Sequence, residues 1–200
     1  MEQRRSEIYK AEKKGDLVMR IIKAMEEKYL LPSLEMVEAV FTAHENADEG
    51  KLVRSLAEEI RGMDTYIPEL ELIMVEDTTD EVIGYIMFSG FHLEGKYRGD
   101  LLIFTPAAVK TELQRQHISK ELIEFGFEKA IAMGYKAIIV EGNPMNYRNR
   151  GFVTAADYGI LPGETVHLPA IECLMIKELI PGGLDDIRGK VEYSDYKCLT

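Results

Sequence analysis

"DLLIFTPAAVKTELQRQHISKELIEFGFEKAIAMGYKAIIVEG", residues 100–142, decides the fold. Its first ten residues, 100–109, form a nearly continuous apolar run, which is how a strand buried on both faces reads. A polar loop follows. From Ile118 to Met133 the apolar residues recur at helical spacing, with Ile118, Leu122 and Phe125 on one face, Lys129 near the C-terminal end and Gly134 just past it. The run 136–142 is a second buried strand. Strand, helix and strand in this order make a β-α-β unit, whose ligand crevice lies at the carboxyl ends of the strands. The 110–119 loop stands at that end, and the helix points an N-terminus into the crevice, where unpaired N–H groups bind phosphate or carboxylate. Phosphate-cradling loops normally use glycine where the backbone must approach the ligand, and this one has none. Pattern alone therefore leaves two readings open, an anion site and an ordinary solvated helix start. Pro106 sits inside the first strand; proline cannot donate to a ladder, so a bulge or a local break in pairing is expected there.

Upstream, the charged residues 1–15 read as a helical or frayed extension. A strand is expected at 17–24, and a helix at 31–41 with Pro32 in its first turn and Leu34, Val37 and Phe41 on one face. A second helix at 49–62 is closed by Gly62, and the acidic stretch before it, 45–50, reads as a solvated loop. Residues 69–78 and 81–93 read as a hairpin joined by a polar turn. Downstream, Asn143 as cap and Pro144 at the first helical position open a short helix over 143–152. A late strand at 172–179 precedes a turn-rich tail. The order β-α-α-β-β-β-α-β-α-β-β predicts one α/β domain over 16–200 with a mixed sheet.

The composition narrows the function. The 200 residues fit one domain, and 46% hydrophobic with 30% charged residues is ordinary for a folded globular chain. Thirty-five acidic against 24 basic side chains give a net charge of −11, with no long basic run, which argues against nucleic acid as a partner. Around 110–120 the balance reverses, since Lys110, Arg115 and Lys120 outnumber Glu112; an anionic small molecule is drawn there. Cys173 and Cys198 make neither a disulfide framework nor metal-ligand spacing, no His pair supplies one, and no metal is expected. No stretch approaches the roughly 18–20 apolar residues of a membrane span, and the N-terminus lacks the apolar core of a secretory signal. A cytoplasmic protein without a membrane partner is the expectation. The methionines, Met25, Met36, Met63, Met74 and Met87 among them, read as adaptable core filler.

Two segments together resemble a known family. "AVKTELQRQHISKELIE" (108–124) is similar to the strand end and loop of the GNAT superfamily of N-acetyltransferases, V-x-P-x-Y-Q-x-x-G-x-G-S-x-L-I. "EGNPMNYRNRGF" resembles the later family segment in which a Tyr precedes a Gly-Phe pair by four positions. The tail "PGGLDDIRGKVEY" looks like a bacterial subgroup with a P-G-x-L…G-x-V-x-Y ending. The resemblance implies a single domain whose mixed, mostly antiparallel sheet, flanked by helices, contains a splayed strand pair. It implies acetyl-CoA as co-substrate, its pyrophosphate on the backbone amides of Gln114, Arg115, Gln116, His117, Ile118, Ser119 and Lys120. Main-chain groups of the splayed strand, Ala108 and Val109, are left for the pantetheine arm, and Asn143 also falls in the cofactor region. The family's two loop glycines correspond to His117 and Ser119, and its Pro and Tyr to Thr111 and Leu113. If either glycine position needs a positive φ, the strain is about 1–2 kcal/mol.

For catalysis the resemblance points to Tyr147, which in the family lies near the sulfur of acetyl-CoA and protonates the departing thiolate. A phenol of pKa about 10 suits a thiolate of similar basicity. The competing reading is that Tyr147 only packs its short helix onto the sheet. An amine acceptor must lose a proton before it attacks the thioester, and Glu141 and His92, each near a strand end, are the candidate bases, directly or through water. Both also read as structural groups, a cap and an exposed imidazole. His44 and His167 lie in polar surroundings without a partner at interpretable spacing. The expected activity is acetyl transfer to a primary amine, of a small molecule or a peptide, by direct attack in a ternary complex; homodimers occur in the family. The alternatives are a non-catalytic acyl-CoA-binding or regulatory module with a drifted loop, and a fold relic serving only protein association.

Overall fold

The structure, a computed structural model that describes residues 7–13 and 16–200, begins with two strands, β1 (Glu7–Lys13) and β2 (Asp16–Ala24). Two helices follow, α1 (Leu30–His44) and α2 (Ala47–Arg61). Then come β3 (Glu71–Glu76), β4 (Glu81–Leu93) and β5 (Lys96–Val109), helix α3 (Ile118–Ala132) and β6 (Ala137–Glu141). The last third holds α4 (Pro144–Tyr147), β7 (Val153–Thr154), β8 (Ile160–Pro162), β9 (Leu174–Glu178) and β10 (Gly189–Val191). Strand order is β1-β2-β3-β4-β5-β6-β9-β7, with β8 and β10 in a separate parallel ladder. Pairing is antiparallel along β1-β2-β3-β4 and along β6-β9-β7, and parallel between β5 and β6. The mixed, mostly antiparallel α/β sheet expected from the sequence is therefore present.

Residues 7–13 correct one expectation. They are a strand paired in full register with β2, not a helix, because an edge strand tolerates charged side chains as readily as a solvated helix does. The rest of the expected extension, 1–6 and 14–15, lies outside the described residues. The short strands β7, β8 and β10 carry too few residues for a periodic signal and were not expected.

Residue contacts gather into two compact units. The first comprises the described residues up to Glu58 with Ile67–Met87 and Pro106–Gly126. Leu34, Met36, Val37 and Val40 of α1 are buried there, as is every residue of β3. The two carboxylates of β3 are satisfied locally: the Tyr85 hydroxyl donates to Glu71 at 2.7 Å, and the Thr79 hydroxyl to Glu76 at 3.1 Å. The first turns of α3 rest on β4 at Gly84, where a Cβ would lie 2.6 Å from Ile118 Cγ2 and 2.8 Å from Leu122 Cδ1. Glycine there sets how closely the helix start approaches the sheet. Ile118, Leu122 and Phe125, the face read from the sequence, are all buried.

The second unit comprises Glu59–Tyr66, Phe88–Thr105 and Phe127–Thr200. Its core is built around aromatic rings from β4, β5, α3, α4 and the residue before β7, namely Phe88, Phe104, Phe127, Tyr147 and Phe152. The tail is held by carboxylates. Glu192 accepts from the Glu164 and Thr165 N–H groups at 3.0 Å, and Glu59 accepts from those of Lys197 (2.7 Å) and Cys198 (2.9 Å). Met36, Met74 and Met87 are buried, while Met25 and Met63 are only partly so. Both cysteines are free thiols, as expected.

Candidate active site

The loop of the first unit takes its shape from its backbone. β5 runs through Pro106 to Val109, a 3-10 turn covers Thr111–Leu113, and the chain then makes two left-handed residues, Arg115 at φ 62° and His117 at φ 64°. Neither is glycine, and left-handed geometry costs an L residue about 1–2 kcal/mol. His117 thus takes a left-handed conformation at the position where the family pattern has its first loop glycine. Ser119, aligned with the second glycine, is instead an ordinary residue of α3, and the other left-handed position falls on Arg115. The His117 carbonyl accepts the first helical bond, from Glu121 N–H at 3.0 Å, so the amides just after it are those a helix start leaves without intrahelical partners.

Around this turn, Arg115, Gln116, His117 and Lys120 are exposed, while Ile118 is buried and anchors the helix start. Of the three cations noted in the sequence, Lys110 pairs with Glu81 and, at 3.8 Å, with Glu112, and Lys120 pairs with Glu124 at 3.8 Å. Two contacts were not legible in the sequence. His44, at the end of α1, meets the Gln114 amide at 2.7 Å. Arg20, buried in the middle of β2, reaches Gln116; a charged residue inside the apolar run "LVMRIIKA" was the available signal.

The pairing of β5 with β6 stops before Pro106 is reached, while β5 itself runs on through it. β5 and β6 pair only at Leu101↔Ala137, Leu102↔Ile138 and Ile103↔Ile139, yet β5 continues to Val109 and β6 to Glu141. Beyond Ile103 the two strands part, leaving Ala108 and Val109 on a stretch of β5 outside that ladder.

In the second unit, Asn143 caps α4 as expected, its side-chain oxygen accepting from Met145 N–H at 3.0 Å. At the end of the helix, the ring of Tyr147 stands edge-on to Phe104 (6.0 Å between centroids) and to Phe152 (5.6 Å). Gly142 makes room for it, since a Cβ there would sit 2.8 Å from the ring. The packing role of Tyr147 is thus real. Its hydroxyl, however, has no hydrogen-bond partner among the described residues, and burial pushes its pKa up, with Arg150 opposing weakly. The group is held as a neutral phenol, a proton donor at neutral pH.

The two candidate bases do not meet; each is tied to the tail. Glu141 accepts from the Tyr193 hydroxyl at 2.9 Å, and burial first, then Glu141 itself, raises the pKa of Tyr193, so that phenol remains a donor. His92 lies 2.8 Å from Asp195 through Nε2, and its Nδ1 accepts from Gly95 N–H at 3.1 Å. Both ring nitrogens of His92 are therefore engaged, whereas Glu141 keeps its second oxygen. Tyr193 is the last residue of the "GKVEY" ending, so the tail motif supplied a signal for it. Among the described residues no group of His, Cys, Asp and Glu is arranged to hold a metal.

No family model matches the chain. The Escherichia coli protein named uncharacterized N-acetyltransferase YhbS is 29% identical over 155 residues, covering 76% of this chain and 84% of that protein. The crystal structure of Escherichia coli YhbS in complex with CoA has a TM-score of 0.74 at 23% identity, covering 88% of this chain and 90% of that one. A GNAT family acetyltransferase from Brucella melitensis in complex with acetyl-CoA gives 0.67 at 21% identity, covering 90% and 98%. The chain is thus similar in sequence to an N-acetyltransferase over three quarters of its length and shares the fold of GNAT family acetyltransferases along most of it.

Proposed function

We propose that this protein is an acetyl-CoA-dependent N-acetyltransferase acting on a primary amine, of a small molecule or a peptide, by direct attack in a ternary complex. The observation that carries the reading is the parting of β5 from β6 after Ile103, with both strands running on, because it frees main-chain groups for an extended thioester arm. In this reading the backbone N–H groups of 114–120 hold the diphosphate at the start of α3. Acetyl-CoA supplies the activated acyl group. Glu141 takes a proton from the acceptor's ammonium group, directly or through water, the free amine then attacks the thioester carbonyl, and Tyr147 gives its proton to the departing thiolate. The neutral phenol is the form this last step requires. Its hydroxyl, without a hydrogen-bond partner among the described residues, gives the proton up without breaking a bond to any of them. A cytoplasmic location belongs to the same reading, since both cysteines are free thiols.

The test is calorimetric titration with CoA, followed by incubation with acetyl-CoA and a panel of amines while free thiol is measured. Binding with amine-dependent thiol release is expected. Absence of CoA binding overturns the reading; tight binding with no turnover on any amine replaces it with a non-catalytic acyl-CoA binder.

A further inference from the structure

A loop that makes two left-handed turns without glycine needs something to hold it. Arg20 lies in the middle of β2, in register with Glu76, and only 3% of it is exposed. Its guanidinium donates through Nη2 to the Gln116 side-chain oxygen at 2.6 Å and through Nη1 to the Gln116 backbone carbonyl at 3.3 Å. Gln116 is the residue between Arg115 and His117, the two left-handed positions. A two-pronged grip on that residue fixes both its peptide plane and its side chain, and so restrains the dihedrals on either side. The cation is deep in the unit, where a charge is retained only with partners. Glu121, in the first turn of α3, lies close enough for Arg20 to oppose the upward push of burial on its carboxyl. Arg20 Nε and Glu121 Oε2 are both buried and without a hydrogen-bond partner among the described residues, so the carboxylate adds charge and not a competing bond.

From this geometry we infer that Arg20 is the positioning residue of the diphosphate loop. It substitutes a long-range clamp from the sheet for the glycines that would let the turn form at little cost. The inference rests on the acetyl-CoA reading for its consequence, though not for the clamp itself. It acts through Gln116 and touches no reacting atom. The loop's amides are aimed by a charged hydrogen bond reaching across 96 positions of sequence.

The experiment uses four variants of the full chain: Arg20→Met, Arg20→Lys, Gln116→Ala and Gln116→Ala combined with Arg115→Gly and His117→Gly. Acetyl-CoA KM and kcat are measured, with amide hydrogen exchange of 115–118 in the free protein. Arg20→Met and Gln116→Ala are expected to raise KM for acetyl-CoA about tenfold with kcat little changed, and to speed exchange at those amides. Arg20→Lys, a point charge without the fork, recovers only part of the loss. Glycines at 115 and 117 shrink the effect of Gln116→Ala, which a merely structural defect would not permit. Gln116→Ala leaves β2 intact and decides the matter if Arg20→Met fails to fold. Folded variants with unchanged KM and unchanged exchange overturn the inference. If the native protein binds no CoA, the transferase reading fails while exchange still decides the clamp: faster exchange upholds it and unchanged exchange ends it.

Discussion

The loop at 114–120 and the ring cluster around Tyr147 are built on opposite principles. The loop is mostly exposed side chains on a backbone held in two costly conformations, and it depends on a few directed bonds, from Arg20 and from His44. The cluster is five aromatic rings in mutual contact, with Phe88 and Phe104 stacked at 4.6 Å, and it depends on volume. A region held by directional contacts gives way when one donor is lost; a region held by packing gives way when space is left or taken. Under the proposed function, the difference teaches where each kind of mutation acts: affinity for a co-substrate on one side, stability and proton delivery on the other.

Five measurements break or sharpen that contrast. Tyr147→Phe keeps the ring and its edge-on contacts while removing the proton, so melting temperature should hold while thiol release falls by about 100-fold or more. Equal losses of activity and stability would make Tyr147 a packing residue only. Phe88→Ala opens the centre of the ring cluster and should cost about 3–5 kcal/mol in denaturant unfolding, with loop affinity changed far less. Gly84→Val presses on Ile118 and Leu122, and an overpacking cost of about 1–3 kcal/mol is expected, together with weaker acetyl-CoA binding because the start of α3 moves. His117→Gly relieves the left-handed strain but loosens the unfolded chain, so a net gain of at most about 1 kcal/mol is expected in thermal unfolding. The last concerns pH. Burial alone would raise the carboxyl of Glu59, but the N–H donors of Lys197 and Cys198 outweigh it and hold its pKa below the ordinary value. A depressed folded pKa means stability present above the unfolded value of about 4.3 and lost as pH falls through the folded one. Glu59→Gln should therefore flatten the decline in melting temperature below about pH 4.3.

The contrast also explains what was legible. The β-α-β unit was plain because buried strands and an amphipathic helix write themselves as runs and periods; β4 (Glu81–Leu93) and the face Ile118, Leu122 and Phe125 were read directly. The cap at Asn143 follows from a residue type with one dominant local use. The left-handed state of Arg115 could not be read, because nothing in an arginine announces positive φ. Nor could Arg20 reaching Gln116, or Tyr193 reaching Glu141, since both pairs join residues far apart in sequence through the sheet register or the course of the tail. Residues 7–13 misled because charge is shared by solvated helices and edge strands.

The early release of β5 from β6 has a cost beyond the chemistry proposed for it. Under the proposed function, the groups at 104–105 and 140–141 that lie beyond the β5–β6 ladder form a template for which a neighbouring molecule's backbone competes with the thioester arm. Saturating co-substrate should therefore act as a solubiliser: at about a hundred times its Kd it adds roughly 2.7 kcal/mol to the folded state. Preparations stripped of CoA are expected to cloud sooner on warming than those supplied with it.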